Sequence, residues 1–128
     1  MEDWDNLIED YKKQLKGLLD SKSHFFNSIK RKEIVDKSGV YVIFDKDSSL
    51  LYVGQSKNLK VRLIDNHLRN DKIGSAFRKN LSEEGHLESE EEITQYIFSN
   101  CSFKYMILDK PKYLEYFAIS VLKPKLNK

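Results

Sequence analysis

The stretch "SGVYVIFDKDSSLLYVGQSKNLKVR", Ser38 to Arg62, decides how this chain folds. "GVYVIF" and "LLYVG" are rich in β-branched and aromatic residues, and the polar "DKDSS" between them is turn chemistry. Together they predict a β-hairpin over residues 39–45 and 50–54. Side chains alternate across a strand, so a short loop can bring Tyr41 and Tyr52 to one face of that hairpin. Gly39 stands before one tyrosine and Gly54 after the other. Glycine weakens a strand interior and often marks close approach by a ligand or another backbone. After Gly54 the pattern turns helical, from Lys57 to about Asn70, with Arg62 on its polar face.

Outward on the N-terminal side, "WDNLIEDYKKQLKGLLD" sets Trp4, Leu7, Ile8, Tyr11, Leu15, Leu18 and Leu19 at helical spacing. Such a stripe is core or a docking face for a partner. "SKSHFFNSIKRKEI" predicts a second short helix with Ser21 or Ser23 as its cap. On the C-terminal side, Gly74 or Ser75 opens a helix reaching Leu81, and Ser89 starts another reaching about Phe98. "SFKYMIL" reads as a third strand, and Pro111 fits the first turn of a last helix that Pro124 stops. The fold class is mixed α/β (α+β), one domain with a small sheet.

Composition narrows the options. The chain has 128 residues, 40% of them hydrophobic, enough for one packed core. The net charge is only +2, but it is unevenly spread. Gln55–Asn80 holds seven Lys/Arg against Asp65 and Asp71, whereas Glu83–Glu92 holds six Glu and no Lys or Arg. The basic block is a candidate phosphate-facing surface. Cys101 is the only cysteine, which rules out an internal disulfide and a cysteine-built zinc site and fits a reducing cytoplasm. No apolar run approaches the ~20 residues of a membrane span, so no membrane association is expected.

Four side chains carry candidate chemistry. Tyr41 and Tyr52 form the facing pair. Arg62 offers a rigid fork suited to clamping a phosphate. Glu115, beside the apolar stripe of the last helix, can reach the sheet edge as an oxygen ligand for a hard cation. His67 follows Arg62 by five residues, which on an α-helix turns it roughly 140° away. Asn66 shares the Arg62 face and His67 does not.

The order Gly39-Val40-Tyr41, Tyr52-Val53-Gly54, Arg62, then a late-helix Glu followed by "KPKLN" resembles the GIY-YIG nuclease family. The resemblance covers about residues 37–127 and is closest to the repair-excinuclease type. It implies a small three-stranded antiparallel sheet flanked by helices over residues 37–128, with residues 1–36 an N-terminal helical extension. It implies an endonuclease that cuts phosphodiester bonds in DNA, RNA being left open, with one divalent metal, Mg²⁺ (or Mn²⁺). Tyr41, Tyr52, Arg62 and Glu115 would be catalytic, Glu115 as the metal ligand. Gly54, Gln55, Lys57, Lys60, Asn66, Arg69 and Asn127 would contact nucleic acid.

Two positions depart from the family pattern. Gln55 stands where excinuclease-type members usually carry a Lys. Asn66 stands where some members have Tyr or His four residues after the Arg, with His67 one further. A nucleic-acid-binding module with weak or lost cleavage is therefore the alternative to a nuclease. A third reading is an interaction domain, dimeric or bound to a protein partner through the N-terminal helix.

Overall fold

A computed structural model describes residues 3–70 and 74–128. Asp71 and Lys72 of the basic block lie outside the described residues. The hairpin forms from β2 (Gly39–Phe44) and β3 (Leu50–Ser56), paired antiparallel. Its turn is built by Asp45, whose carboxylate accepts the backbone N–H groups of Asp47 and Ser49, both at 2.9 Å. The register pairs Ile43 with Tyr52 and Phe44 with Leu50. Leu51 is thus the extra residue of a β-bulge.

β4 (Ser102–Ile107) pairs antiparallel with the other side of β2. The sheet has a fourth strand, which corrects the three-stranded expectation. β1 (His24–Phe25) pairs with β4, and the order is β1-β4-β2-β3. This strand sits where a second helix was expected. The His24 ring lies 5.4 Å from both Phe103 and Tyr105, and the buried Phe26 lies 4.8 Å from Phe103. A short helix is marginal in isolation, and these aromatic contacts with β4 are available only to an extended segment. One 3-10 turn, Arg31–Glu33, is the helical remnant.

Alternation along the strands gives two cores, one on each face. Val40, Val42 and Val53 face Leu15 and Leu18 of α1 (Trp4–Leu19) and Leu114 and Ala118 of α4 (Lys112–Leu122). Lys104 on this face donates to the Leu19 carbonyl at 2.5 Å and so caps the end of α1. The first half of α1 is uncovered: Trp4, Leu7 and Ile8 are exposed. The other face carries Tyr41, Ile43 and Phe103 against Leu59, Leu63, Ile64 and Leu68, with Phe77 and Leu81 of α2 (Ala76–Gly85) and Ile93 and Ile97 of α3 (Glu90–Asn100). Ser75 caps α2 and Ser89 caps α3, each through its side-chain oxygen.

Two details position the site. The helix after β3 is a π-helix over Val61–Leu68, and at its end the Arg69 N–H bonds the Ile64 carbonyl, five residues back, at 2.9 Å. The free edge of β3 is sealed by the C-terminal segment: Lys125 and Leu126 N–H groups donate to the carbonyls of Leu50 and Leu51. Among the described residues, no helix is long and apolar enough to cross a membrane.

Candidate active site

Tyr41 pairs across the hairpin with Gly54, and Tyr52 lies one pleat along on the same face, with ring centroids 6.4 Å apart. The missing side chain of Gly54 has a specific use. A methyl group there would lie 2.9 Å from Tyr41 Cε2 and overlap the hydroxyl end of the ring. A methyl on Gly39 would lie 2.7 Å from Leu59 Cδ1 and run into the Met106 carbonyl. Both glycines are answered by the protein's own atoms, so close approach is internal at each.

Tyr41 is fully buried at 1% exposure, and Tyr52 is half-buried. Burial pushes the Tyr41 hydroxyl well above the ordinary tyrosine value; Tyr52 adds to the rise, and Arg62, within hydrogen-bonding reach of that hydroxyl, opposes it. Burial also raises Tyr52, with the Glu115 charge adding and Arg62 opposing. Burial lifts Glu115 above the usual carboxylate range, and Arg62 partly offsets that too. Arg62 is therefore the shared cation of a cluster containing Tyr41, Tyr52 and Glu115. The four residues expected from the sequence converge, from β2, β3, the π-helix and α4.

A fifth residue joins them. His67 Nε2 lies 2.5 Å from the Tyr41 hydroxyl and Nδ1 lies 2.6 Å from Ser75 Oγ. The ring is buried between Tyr41, Tyr52 and Phe77. Its pKa is pushed down to about 3, by burial first and then by Arg62 and Arg78, so it is neutral near pH 7. The α-helical arithmetic that turned His67 away from Arg62 is corrected here. Residues five apart are successive on a π-helix, so the winding returns His67 to the site.

The family model of the GIY-YIG catalytic domain matches residues 37–127. The chain belongs to the GIY-YIG family. No curated protein matches it. In this GIY-YIG domain the histidine that falls one residue late in sequence reaches the tyrosines because the helix carries one extra residue per turn. The remaining candidates are dispersed. Gln55 pairs with Val40 and so lies on the α1/α4 face of β3, opposite the tyrosines. Lys57 and Arg69 are exposed, and Lys60 pairs with Asp36 at 3.5 Å. Asn66 is buried. Asn127 is engaged with the edge strand, its Oδ1 accepting the Val53 N–H and its Nδ2 donating to the Val53 carbonyl, both at 2.8 Å.

Arg78, counted in the basic block, does not face solvent. At 2% exposure it donates to the carbonyls of His67 and Leu68 at 3.0 and 2.8 Å, and to Glu90. It closes the end of the π-helix. Among the described residues no three His, Cys, Asp or Glu gather as a metal cage. Glu115 is a single carboxylate beside a cation-bearing cluster. That donor set fits a hard divalent ion that keeps waters and takes phosphate oxygens as further ligands, and it does not fit a structural zinc.

Proposed function

We propose that this chain is a divalent-metal-dependent endonuclease that hydrolyses phosphodiester bonds in DNA. The observation that carries the reading is the gathering of Arg62 and Glu115 around the Tyr41/Tyr52 pair of the hairpin, with His67 against Tyr41. Arg62 would bind the phosphate and neutralise charge that builds on it. Tyr41 would take the proton of the attacking water, because it alone of the two tyrosines has a hydrogen-bonded imidazole behind its hydroxyl. Tyr52, less buried, would orient the water or the phosphate. Glu115 would hold Mg²⁺ or Mn²⁺, and the bound cation would supply Lewis-acid stabilisation of phosphate charge.

Lys57 and Arg69 are exposed and suit contact with the backbone of a nucleic acid flanking the scissile bond. Residues 37–128 would form the nuclease domain and residues 1–36 an extension whose exposed Trp4, Leu7 and Ile8 leave room for a second copy or a protein partner. The single buried Cys101 suits a cytoplasmic protein. A second reading, a nucleic-acid-binding module with little cleavage, is favoured by the uncharged Gln55.

One experiment separates the two. Labelled DNA duplexes, branched and nicked DNA, and RNA are incubated with the protein in Mg²⁺, Mn²⁺ or EDTA, alongside Glu115→Gln. The nuclease reading expects cleavage that needs metal and falls at least about 100-fold in the variant, while gel-shift affinity and melting temperature stay near wild type. Binding without metal-dependent cleavage in any lane favours the module. Cleavage by Glu115→Gln at the wild-type rate would remove Glu115 from the site.

A further inference from the structure

Resting on the nuclease reading, the hydrogen bonds behind Tyr41 carry an inference about a residue outside the motif. The Tyr41 hydroxyl is buried and its proton needs an acceptor. Arg62 has only donors, which leaves His67 Nε2 at 2.5 Å. A neutral imidazole that accepts at Nε2 carries its proton on Nδ1. That proton points at Ser75 Oγ, 2.6 Å away. Ser75 Oγ already accepts the Arg78 backbone N–H at 3.1 Å and has a second lone pair for His67. Ser75 is half-buried and lines an open cleft with Asn70, Gly74 and Lys79, which gives its own hydroxyl proton a route to water.

We propose that Ser75 is a positioning residue of the active site. It fixes His67 as the Nδ1–H tautomer and forms the outlet of a proton chain from Tyr41 to solvent.

The chain balances in atoms and charge. As Tyr41 takes the proton of the attacking water, its own O–H bond breaks and a His67 Nε2–H bond forms. The Nδ1–H bond breaks in the same sequence and that proton passes to Ser75 Oγ, whose original proton leaves to bulk water. His67 ends neutral, as the other tautomer. The chain resets by running backward as the leaving oxygen is protonated: Tyr41 gives that oxygen its proton, the Nε2 proton returns to Tyr41, Ser75 returns a proton to Nδ1, and Ser75 regains one from bulk water. A net cation never rests on His67. That matters because Arg62 and Arg78 flank the ring and burial already disfavours its charged form. The N-cap of α2 thus serves two ends with one oxygen, holding the helix and holding the imidazole.

The test uses the full chain and has a readout independent of cleavage. Imidazole ¹⁵N chemical shifts distinguish the two neutral tautomers. His24 and His86 are the only other histidines and are assigned by substitution. Wild-type His67 is expected as the Nδ1–H form, the less common form in solution. Ser75→Gly removes the acceptor but costs helix capping only slightly. It should shift His67 toward the Nε2–H form and lower Mg²⁺-dependent cleavage of a labelled duplex by about 10–100-fold, by analogy with the outer partners of metal-bound histidines. Ser75→Thr should restore both. A wild-type His67 in the Nε2–H form overturns the proposal, as does Ser75→Gly cleaving at the wild-type rate. If the wild type shows the Nδ1–H form but cuts nothing, the fault lies with the nuclease reading and the tautomer assignment stands.

Discussion

At the scale of single residues, Gly54 and Tyr41 act as one unit. The phenol occupies the space that any side chain at 54 would need. Gly54→Ala should therefore cost about 1–3 kcal/mol in denaturant unfolding, as overpacking usually does. It should also displace the Tyr41 hydroxyl from His67, visible as a changed imidazole signal. An alanine tolerated without either effect would mean that the strand slides easily past the ring. His67 makes the site sensitive to acid. Its folded pKa, about 3, lies below the ordinary value of 6.5, so the unfolded chain binds the extra proton between those limits. Stability from this group is complete above pH ~6.5 and is lost as pH falls toward ~3, at about 1.4 kcal/mol per pH unit. Urea titrations from pH 7 to pH 4 should show this slope in wild type. They should show it diminished in His67→Gln.

At the scale of elements, the π-helix is held by a side chain from its neighbour. Arg78 of α2 satisfies the carbonyls of His67 and Leu68 and ties them to Glu90 at the start of α3. Arg78→Met keeps the stem and removes the donors. It should cost about 1–3 kcal/mol, since the His67 carbonyl loses its guanidinium donor while the Leu68 carbonyl keeps the Thr94 hydroxyl at 3.1 Å, and cleavage should fall with it. A thermal melt within a degree or two of wild type would show that water replaces the guanidinium. Most of the elements were legible in the sequence because their signals are local. The hairpin follows from alternation around "DKDSS", and the starts of α2 and α3 follow from Ser75 and Ser89. β1 was not legible because two residues become a strand only by pairing with β4, far along the chain. Tyr41, Tyr52, Arg62 and Glu115 were legible through their order and spacing. His67 was not, because α-helical angles do not describe a π-helix. Arg78 was hidden by its company: among six other bases, only tertiary packing marks it as buried. The one sequence signal for His67 was its position a single residue beyond Asn66.

At the scale of the molecule, the segment that precedes the family match is part of the core. Leu15 and Leu18 lie on Val40, Val42 and Val53, so α1 shares with α4 the cover of one face of the sheet. A chain beginning at residue 37 should expose that face and lose cooperative unfolding. Leu18→Ala in the full chain should cost about 2–5 kcal/mol. Trp4→Ala, on the uncovered half of α1, should stay within about 0.5 kcal/mol. Calorimetry of the three proteins checks this, and a cooperative, well-folded 37–128 fragment would make the extension dispensable. The opposite end of the chain is stitched along β3 by Lys125, Leu126 and Asn127, each bonded to a residue flanking Tyr52 or next along the strand. These segments advance in the same direction, so a pull on Lys128 loads the three attachments in shear and draws on Leu50, Leu51 and Val53 before it reaches the packed interior. Mechanical tension at that end is therefore felt first at the tyrosine that stands between Leu51 and Val53.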